Sequence, residues 1–72
     1  MELIEVTDEA RLRREAAAER LRALADQLSR HNEVRFTREG LDYTLRVPDE
    51  VDFKLEIEIT DDGAELEVEL GW

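Results

Sequence analysis

The sequence predicts an α+β domain in which one amphipathic helix packs on one face of a four- to five-stranded antiparallel sheet, in the order β-α-β-β-β-β. Three observations lead to this fold class. Residues 8–31 place apolar side chains at helical spacing, residues 33–72 alternate apolar and polar side chains as half-buried strands do, and turn-forming residues separate the alternating runs. The length of 72 residues predicts a single domain spanning residues 1–72.

The first two predicted elements are a short strand at residues 2–6 and a helix at residues 8–31. The strand could run parallel to residues 34–38 or antiparallel to residues 64–72, and we favour the second arrangement. Thr7 or Asp8 is expected to cap the helix, because a side-chain oxygen at this position can accept from a free backbone N–H of the first turn. The apolar stripe of the helix consists of Ala10, Ala17, Leu21, Leu24 and Leu28.

Four strands are predicted after the helix, at residues 33–38, 41–47, 51–60 and 64–72. Turn signals lie between them: Glu39-Gly40, then Pro48 to Glu50, then Asp62-Gly63, which is typical of a two-residue type I′ hairpin loop. These loops pair apolar residues with apolar residues, so that one face of a four-stranded meander is apolar. The predicted pairs are Val34–Leu45, Phe36–Tyr43, Leu45–Phe53, Tyr43–Leu55, Phe53–Trp72, Leu55–Leu70, Ile57–Val68 and Ile59–Leu66.

The same register places acidic residues opposite each other on the outer face of the last hairpin. Glu58 is expected opposite Glu67, and Glu56 opposite Glu69. Like charges on directly opposed residues destabilise a sheet. We therefore expect the fold to gain stability as the salt concentration rises.

One helix is too narrow to cover the predicted sheet. It is about 10–12 Å wide, whereas four strands span about 19 Å. We expect a second copy of the chain to cover the remaining apolar face, giving a homodimer; the alternative is a monomer whose twisted sheet wraps the helix. The residues expected at this interface are Phe53, Leu55, Leu70, Trp72 and Tyr43.

The net charge of −10 is concentrated in the strands. Residues 41–72 carry eleven acids against Arg46 and Lys54, a charge of −9, which disfavours nucleic acid and anionic membranes as partners. Abundant acid with nine arginines and one lysine is similar to proteins of extreme halophiles, where molar salt screens repulsion. A solvated acidic surface therefore accounts for the glutamates better than a dedicated cation site.

The sequence predicts no enzyme, no metal site and no cofactor. There is no cysteine, and His31 is the single histidine, so the side chains for a transition-metal site are lacking. His31 is expected to have a surface or capping role at the end of the helix. The three glycines are isolated, which excludes a phosphate-binding loop. Because the N-terminus has neither a basic region nor a long apolar run, we expect a cytoplasmic protein.

The succession of elements resembles a known family. A capped helix rich in arginine and alanine is followed by alternating strands, a VPDEV turn at residues 47–51, a glutamate-alternating hairpin and a closing Trp72. This pattern is similar to the amphi-Trp domain, a small domain common in haloarchaeal proteins, over essentially the whole chain. The resemblance implies the fold and the origin, identifies Trp72 as the closing aromatic of the family, and implies no established enzymatic activity.

The function expected is that of a small acidic, non-catalytic interaction or assembly module. It would associate with itself, or with another protein, through the open apolar sheet face. The alternative is a module that binds an anion, a nucleotide or a nucleic acid through the helix arginines. Reversing the charges of Arg11, Arg14 and Arg22 would abolish binding in the alternative and leave the first function intact.

Overall fold

The computed structural model describes residues 3–72, in which one helix precedes four antiparallel strands. This arrangement confirms the α+β class and the order of the helix and the four strands that follow it. The helix α1 spans Arg14–His31, and the strands are β1 (Glu33–Arg38), β2 (Leu41–Arg46), β3 (Asp52–Thr60) and β4 (Gly63–Gly71).

Within residues 3–72 the four strands form two separate hairpins rather than one sheet. The proximal hairpin is β1–β2 and the distal hairpin is β3–β4. The pairing expected between β2 and β3, which included Leu45–Phe53 and Tyr43–Leu55, is therefore wrong. After β2, the N–H of Val47 donates to the carbonyl oxygen of Asn32 at 2.9 Å, which extends the β1–β2 ladder, and Pro48 has no N–H with which to continue a ladder.

The proximal hairpin has the predicted register. Val34 pairs with Leu45 and Phe36 with Tyr43, and the rings of the second pair stack with centroids 5.4 Å apart. Its loop places Glu39 at φ 52° and Gly40 at φ 77°. A type I′ loop needs positive φ at both central residues, so this loop matches the twist of the two strands it joins.

The distal hairpin is shifted by two residues from the predicted register. Its loop is Asp61-Asp62, flanked by the pair Thr60–Gly63, instead of Asp62-Gly63. The observed apolar pairs are Phe53–Leu70, Leu55–Val68, Ile57–Leu66 and Ile59–Ala64, so Trp72 lies beyond the strand and does not face Phe53. A shift of two residues keeps every side chain on its face, and so the apolar pattern alone could not distinguish the two registers.

The helix ends where predicted and begins later. It stops at His31, with Asn32 in the left-handed conformation at φ 54°. It begins at Arg14, so neither Thr7 nor Asp8 caps it, and Arg13 at the N-cap position contributes no capping hydrogen bond. Asp8 instead pairs with Arg20 at 3.5 Å, a contact that requires the preceding segment to lie back along the helix.

The predicted first strand is not formed. Of residues 2–6, residue 2 lies outside the described residues, and residues 3–6 have no regular structure. Ile4 and Val6 nevertheless face the proximal hairpin, where they line a shared groove with Phe36 and Tyr43. The segment therefore meets side chains of that hairpin without adding a strand to a sheet.

The helix contacts the proximal hairpin at its first strand. The side-chain oxygen of Gln27 accepts a hydrogen bond from the backbone N–H of Arg35 at 2.8 Å, which satisfies a donor of β1. No Cα atom of the distal hairpin lies within 8 Å of α1, β1 or β2. The helix thus covers part of the proximal hairpin only, and among residues 3–72 no side chain is fully buried.

Candidate assembly surfaces

An extended apolar surface covers one face of the distal hairpin. Alternation along each strand and the observed register place eight apolar side chains on this distal apolar face. They are Phe53, Leu55, Ile57, Ile59, Ala64, Leu66, Val68 and Leu70. Phe53 is 66% exposed, Ile57 63% and Ile59 80%, values typical of charged rather than branched apolar residues.

The five interface residues expected from the sequence lie in two places. Phe53, Leu55 and Leu70 share the distal apolar face, and Trp72 follows directly after β4 with 58% of its surface exposed. Tyr43 lies on the proximal hairpin, stacked on Phe36 and half-buried. The structure brings together the first three and separates Tyr43 from them, because β2 and β3 do not pair.

A second apolar surface lies on the proximal hairpin. An open groove of about 500 Å³, here called the proximal groove, is formed where the N-terminal segment crosses this hairpin. The proximal groove is lined by Ile4, Val6, Val34, Phe36, Tyr43, Thr44 and Leu45. Leu45 remains 44% exposed at its rim, so the groove has apolar walls and is open to a further apolar group.

Five of the distal-face residues were not among the expected interface residues: Ile57, Ile59, Ala64, Leu66 and Val68. All five were predicted to lie on the apolar face from their alternation, but the sequence did not show which part of that face the helix would cover. The structure shows the helix beside the proximal hairpin. Ile4 and Val6 were missed at the groove because the pattern ELIEV was interpreted as an edge strand.

The opposite face of the distal hairpin carries the glutamates. Glu56 faces Glu67 and Glu58 faces Glu65, and we call these four residues the glutamate ladder. The predicted partners, Glu69 for Glu56 and Glu67 for Glu58, are wrong by the same two-residue shift. Among residues 3–72 no group of three or more acidic or histidine side chains is placed to hold a metal ion.

The end of the glutamate ladder is neutralised by the one lysine. Lys54 faces Glu69 across the hairpin, and its amine lies 3.2 Å from a carboxylate oxygen of Glu56 on its own strand. The rest of the ladder has only like charges opposite each other. The face is therefore strongly anionic, which suits solvent contact and opposes contact with a second anionic surface.

The helix arginines of the alternative hypothesis lie among acids. Arg14 pairs with Glu15, Arg20 with Asp8, and Arg22 with Glu19. An open cleft of about 530 Å³ on this helix is lined by Arg14 and Arg22 together with Glu15 and Glu19. Since these three cations each have a carboxylate beside them, the field that they offer to an anionic ligand is weakened. Arg11 lies before the helix, and anion binding stays a prediction that the charge reversals of Arg11, Arg14 and Arg22 would test.

Comparison with known proteins gives the family. The model of the Amphi-Trp domain matches residues 1–72, the whole chain. The chain belongs to the Amphi-Trp domain family. No curated protein and no solved structure matches it. Among residues 3–72 of this Amphi-Trp domain, no helix is both long and apolar enough to cross a membrane. The amphipathic pattern takes the form of the two-faced distal hairpin, and Trp72 stands at its end.

Proposed function

We propose that this Amphi-Trp domain is a small, non-catalytic assembly module that forms a homodimer through its open apolar faces. The observation that carries the proposal is that the isolated chain leaves its apolar side chains uncovered: no residue among 3–72 is fully buried. The hydrophobic effect is the dominant favourable contribution to folding, and a chain that buries so little apolar surface gains little from it.

The accessible surface of the chain supports this proposal quantitatively. It is 7121 Å², whereas a compact monomer of 8.4 kDa exposes about 4,600 Å². The radius of gyration of 14.3 Å likewise exceeds the value of about 11 Å expected for a compact chain of this length. The excess of about 2,500 Å² per chain is comparable to the area that each partner of a large obligate dimer buries.

The acidic composition suggests the setting in which the module works. With a net charge of −10 and one lysine, the domain is suited to a cytoplasm of high ionic strength, where counterions screen the distal hairpin. We place the protein in the cytoplasm of a halophilic cell as part of the same proposal. Another protein with a similar apolar face would be a second class of partner.

The first test is light scattering coupled to size-exclusion chromatography in 2 M potassium chloride. We expect twice the mass of 8.4 kDa for the wild-type chain. Ile57→Asn should weaken the dimer at least tenfold, because it places a polar amide on the distal apolar face. A folded wild-type monomer at every concentration up to the millimolar range would contradict the proposal.

A matched control distinguishes an effect on the distal apolar face from an effect on strand β3 itself. Glu58→Asn introduces the same residue one position further along β3, on the opposite face of the hairpin. We expect Glu58→Asn to stay dimeric, since it leaves the distal apolar face intact. Equal weakening by the two substitutions would show that asparagine disturbs the strand itself, and far-ultraviolet circular dichroism would check that both variants retain their strands.

A further inference from the structure

The two apolar surfaces of one chain are separated, which raises the question of what each one contacts. We propose that the dimer is reciprocally exchanged: the distal apolar face of each chain packs on the proximal groove of the other. This inference rests on the proposed function and specifies which surfaces meet. Its first support is that the distal hairpin approaches neither the helix nor the proximal hairpin of its own chain.

The connector between the hairpins favours an exchange between chains. It consists of residues 47–51, of which Val47 is bound through its N–H to the carbonyl of Asn32, and Pro48 has a restricted backbone. The ladder of the proximal hairpin thus extends as far as Val47, and residues 48–51 then lead to the distal hairpin. A short, stiff connector that projects an apolar element away from its own domain is the arrangement from which domain exchange occurs at low cost.

Charge distinguishes the exchanged dimer from one in which two distal faces meet. The distal hairpin, residues 52–71, has eight acids and Lys54, a net charge of −7. All nine arginines lie in residues 11–46, where they outnumber the six acids by three. Contact between two distal hairpins would bring together two charges of −7, whereas exchange places each hairpin beside a segment, residues 11–46, that carries a net charge of +3.

The area to be covered leads to the same arrangement. A contact between two distal faces leaves both proximal grooves open, and a contact between two grooves leaves both distal faces exposed. Exchange covers all four surfaces with two equivalent contacts related by a twofold axis. It is therefore the arrangement of two chains that can remove most of the excess of about 2,500 Å² from each of them.

Cysteine cross-linking tests the exchange directly, because the natural chain has no cysteine. A tagged Leu45→Cys chain and an untagged Ile57→Cys chain are mixed in denaturant, refolded together in 2 M potassium chloride and treated with a short bismaleimide. If equal amounts of the two chains linked at random, the mixed product would be twice as abundant as either symmetric product. We expect the mixed product to exceed this ratio. Glu58→Cys, on the anionic face of β3, replaces Ile57→Cys in the control and should not link to Leu45→Cys above the level seen in denaturant.

A second measurement uses no cross-linker. Leu45→Arg alone should weaken the dimer at least tenfold, as should Ile57→Asp alone. Mixing the two variants should restore a dimer, since one contact of the mixed pair is then unaltered and the other places arginine beside aspartate. Each variant is checked by circular dichroism, and light scattering measures the mass before and after mixing.

The possible outcomes separate the exchange from the proposed function. Suppose that the wild-type chain is a dimer, that two Ile57→Cys chains link to each other in preference, and that Leu45→Arg does not weaken the dimer. This result would overturn the exchange and leave the proposed assembly function standing. A wild-type monomer at all concentrations would overturn both. A dominant mixed product together with restoration on mixing would establish the exchange.

Discussion

At the scale of single residues, the backbone conformations of the loops distinguish the two hairpins. Glu39 and Gly40 both have positive φ, which a residue with a side chain adopts only at a cost of about 1–2 kcal/mol. Gly63 does not have positive φ, and a Cβ atom added to it would meet nothing within 4 Å. The glycine of the proximal loop is therefore required by its conformation, and the glycine next to the distal loop is not.

Alanine substitutions of these two glycines test this difference. Gly40→Ala should lower the free energy of unfolding by about 1 kcal/mol, because alanine is strained at positive φ. Gly63→Ala should leave it unchanged or raise it slightly, because alanine reduces the entropy of the unfolded chain. Urea titrations at one protein concentration measure both. If Gly63→Ala were as harmful as Gly40→Ala, the distal loop would be Asp62-Gly63 and the register the one predicted from the sequence.

At the scale of secondary-structure elements, the distal hairpin combines an uncovered apolar face with a ladder of like charges. Each opposed glutamate pair destabilises it by a few tenths of a kcal/mol in dilute buffer. The Debye length falls from about 10 Å at 0.1 M salt to about 3 Å at 1 M, which screens such exposed pairs. The hairpin should therefore be most stable at high ionic strength.

Charge substitutions on the ladder measure this effect. Glu58→Lys should raise the free energy of unfolding at 0.1 M potassium chloride by about 0.5 kcal/mol, because it places a cation opposite Glu65. Lys54→Glu should lower it by a similar amount, since a third like-charge pair then forms with Glu69. Urea midpoints at 0.1 and 2 M salt give both values.

The two substitutions serve as controls for each other, because their effects have opposite signs on one face of one hairpin. Both differences should shrink at 2 M salt, where exposed charges are screened. Differences that persist unchanged at 2 M would show that the substitutions act through packing or strand propensity rather than through charge.

At the scale of the whole molecule, assembly should be visible in the single tryptophan. Trp72 is 58% exposed in the isolated chain and lies next to the distal apolar face. We expect its fluorescence emission to shift to shorter wavelength as the wild-type concentration rises, because dimer formation covers the indole. The Ile57→Asn variant should show no such shift over the same range.

The thermal midpoint provides an independent readout of the same equilibrium. A folded dimer that unfolds to monomers has a midpoint that rises with protein concentration. A constant emission maximum together with a rising midpoint would place Trp72 outside the contact. A midpoint independent of concentration would argue against the dimer.

Much of the local structure could be predicted from the sequence, because it depends on patterns within a few residues. Alternation identified the four strands, their apolar faces and the register of the proximal hairpin. The helical spacing identified α1 and its end at His31. Each of these features follows from side-chain periodicity or from a turn whose residues favour one conformation.

Only the tertiary structure decided how these elements are arranged. Two registers that differ by two residues have the same apolar pattern, so the loop Asp61-Asp62 had to be observed. Whether β2 meets β3 depends on the direction that the chain takes after Val47, which no periodicity encodes. The sequence by itself determined which side chains are apolar and which face of a strand they share. The three-dimensional arrangement determined that these faces stay uncovered within one chain, because the distal hairpin approaches neither the helix nor the proximal hairpin.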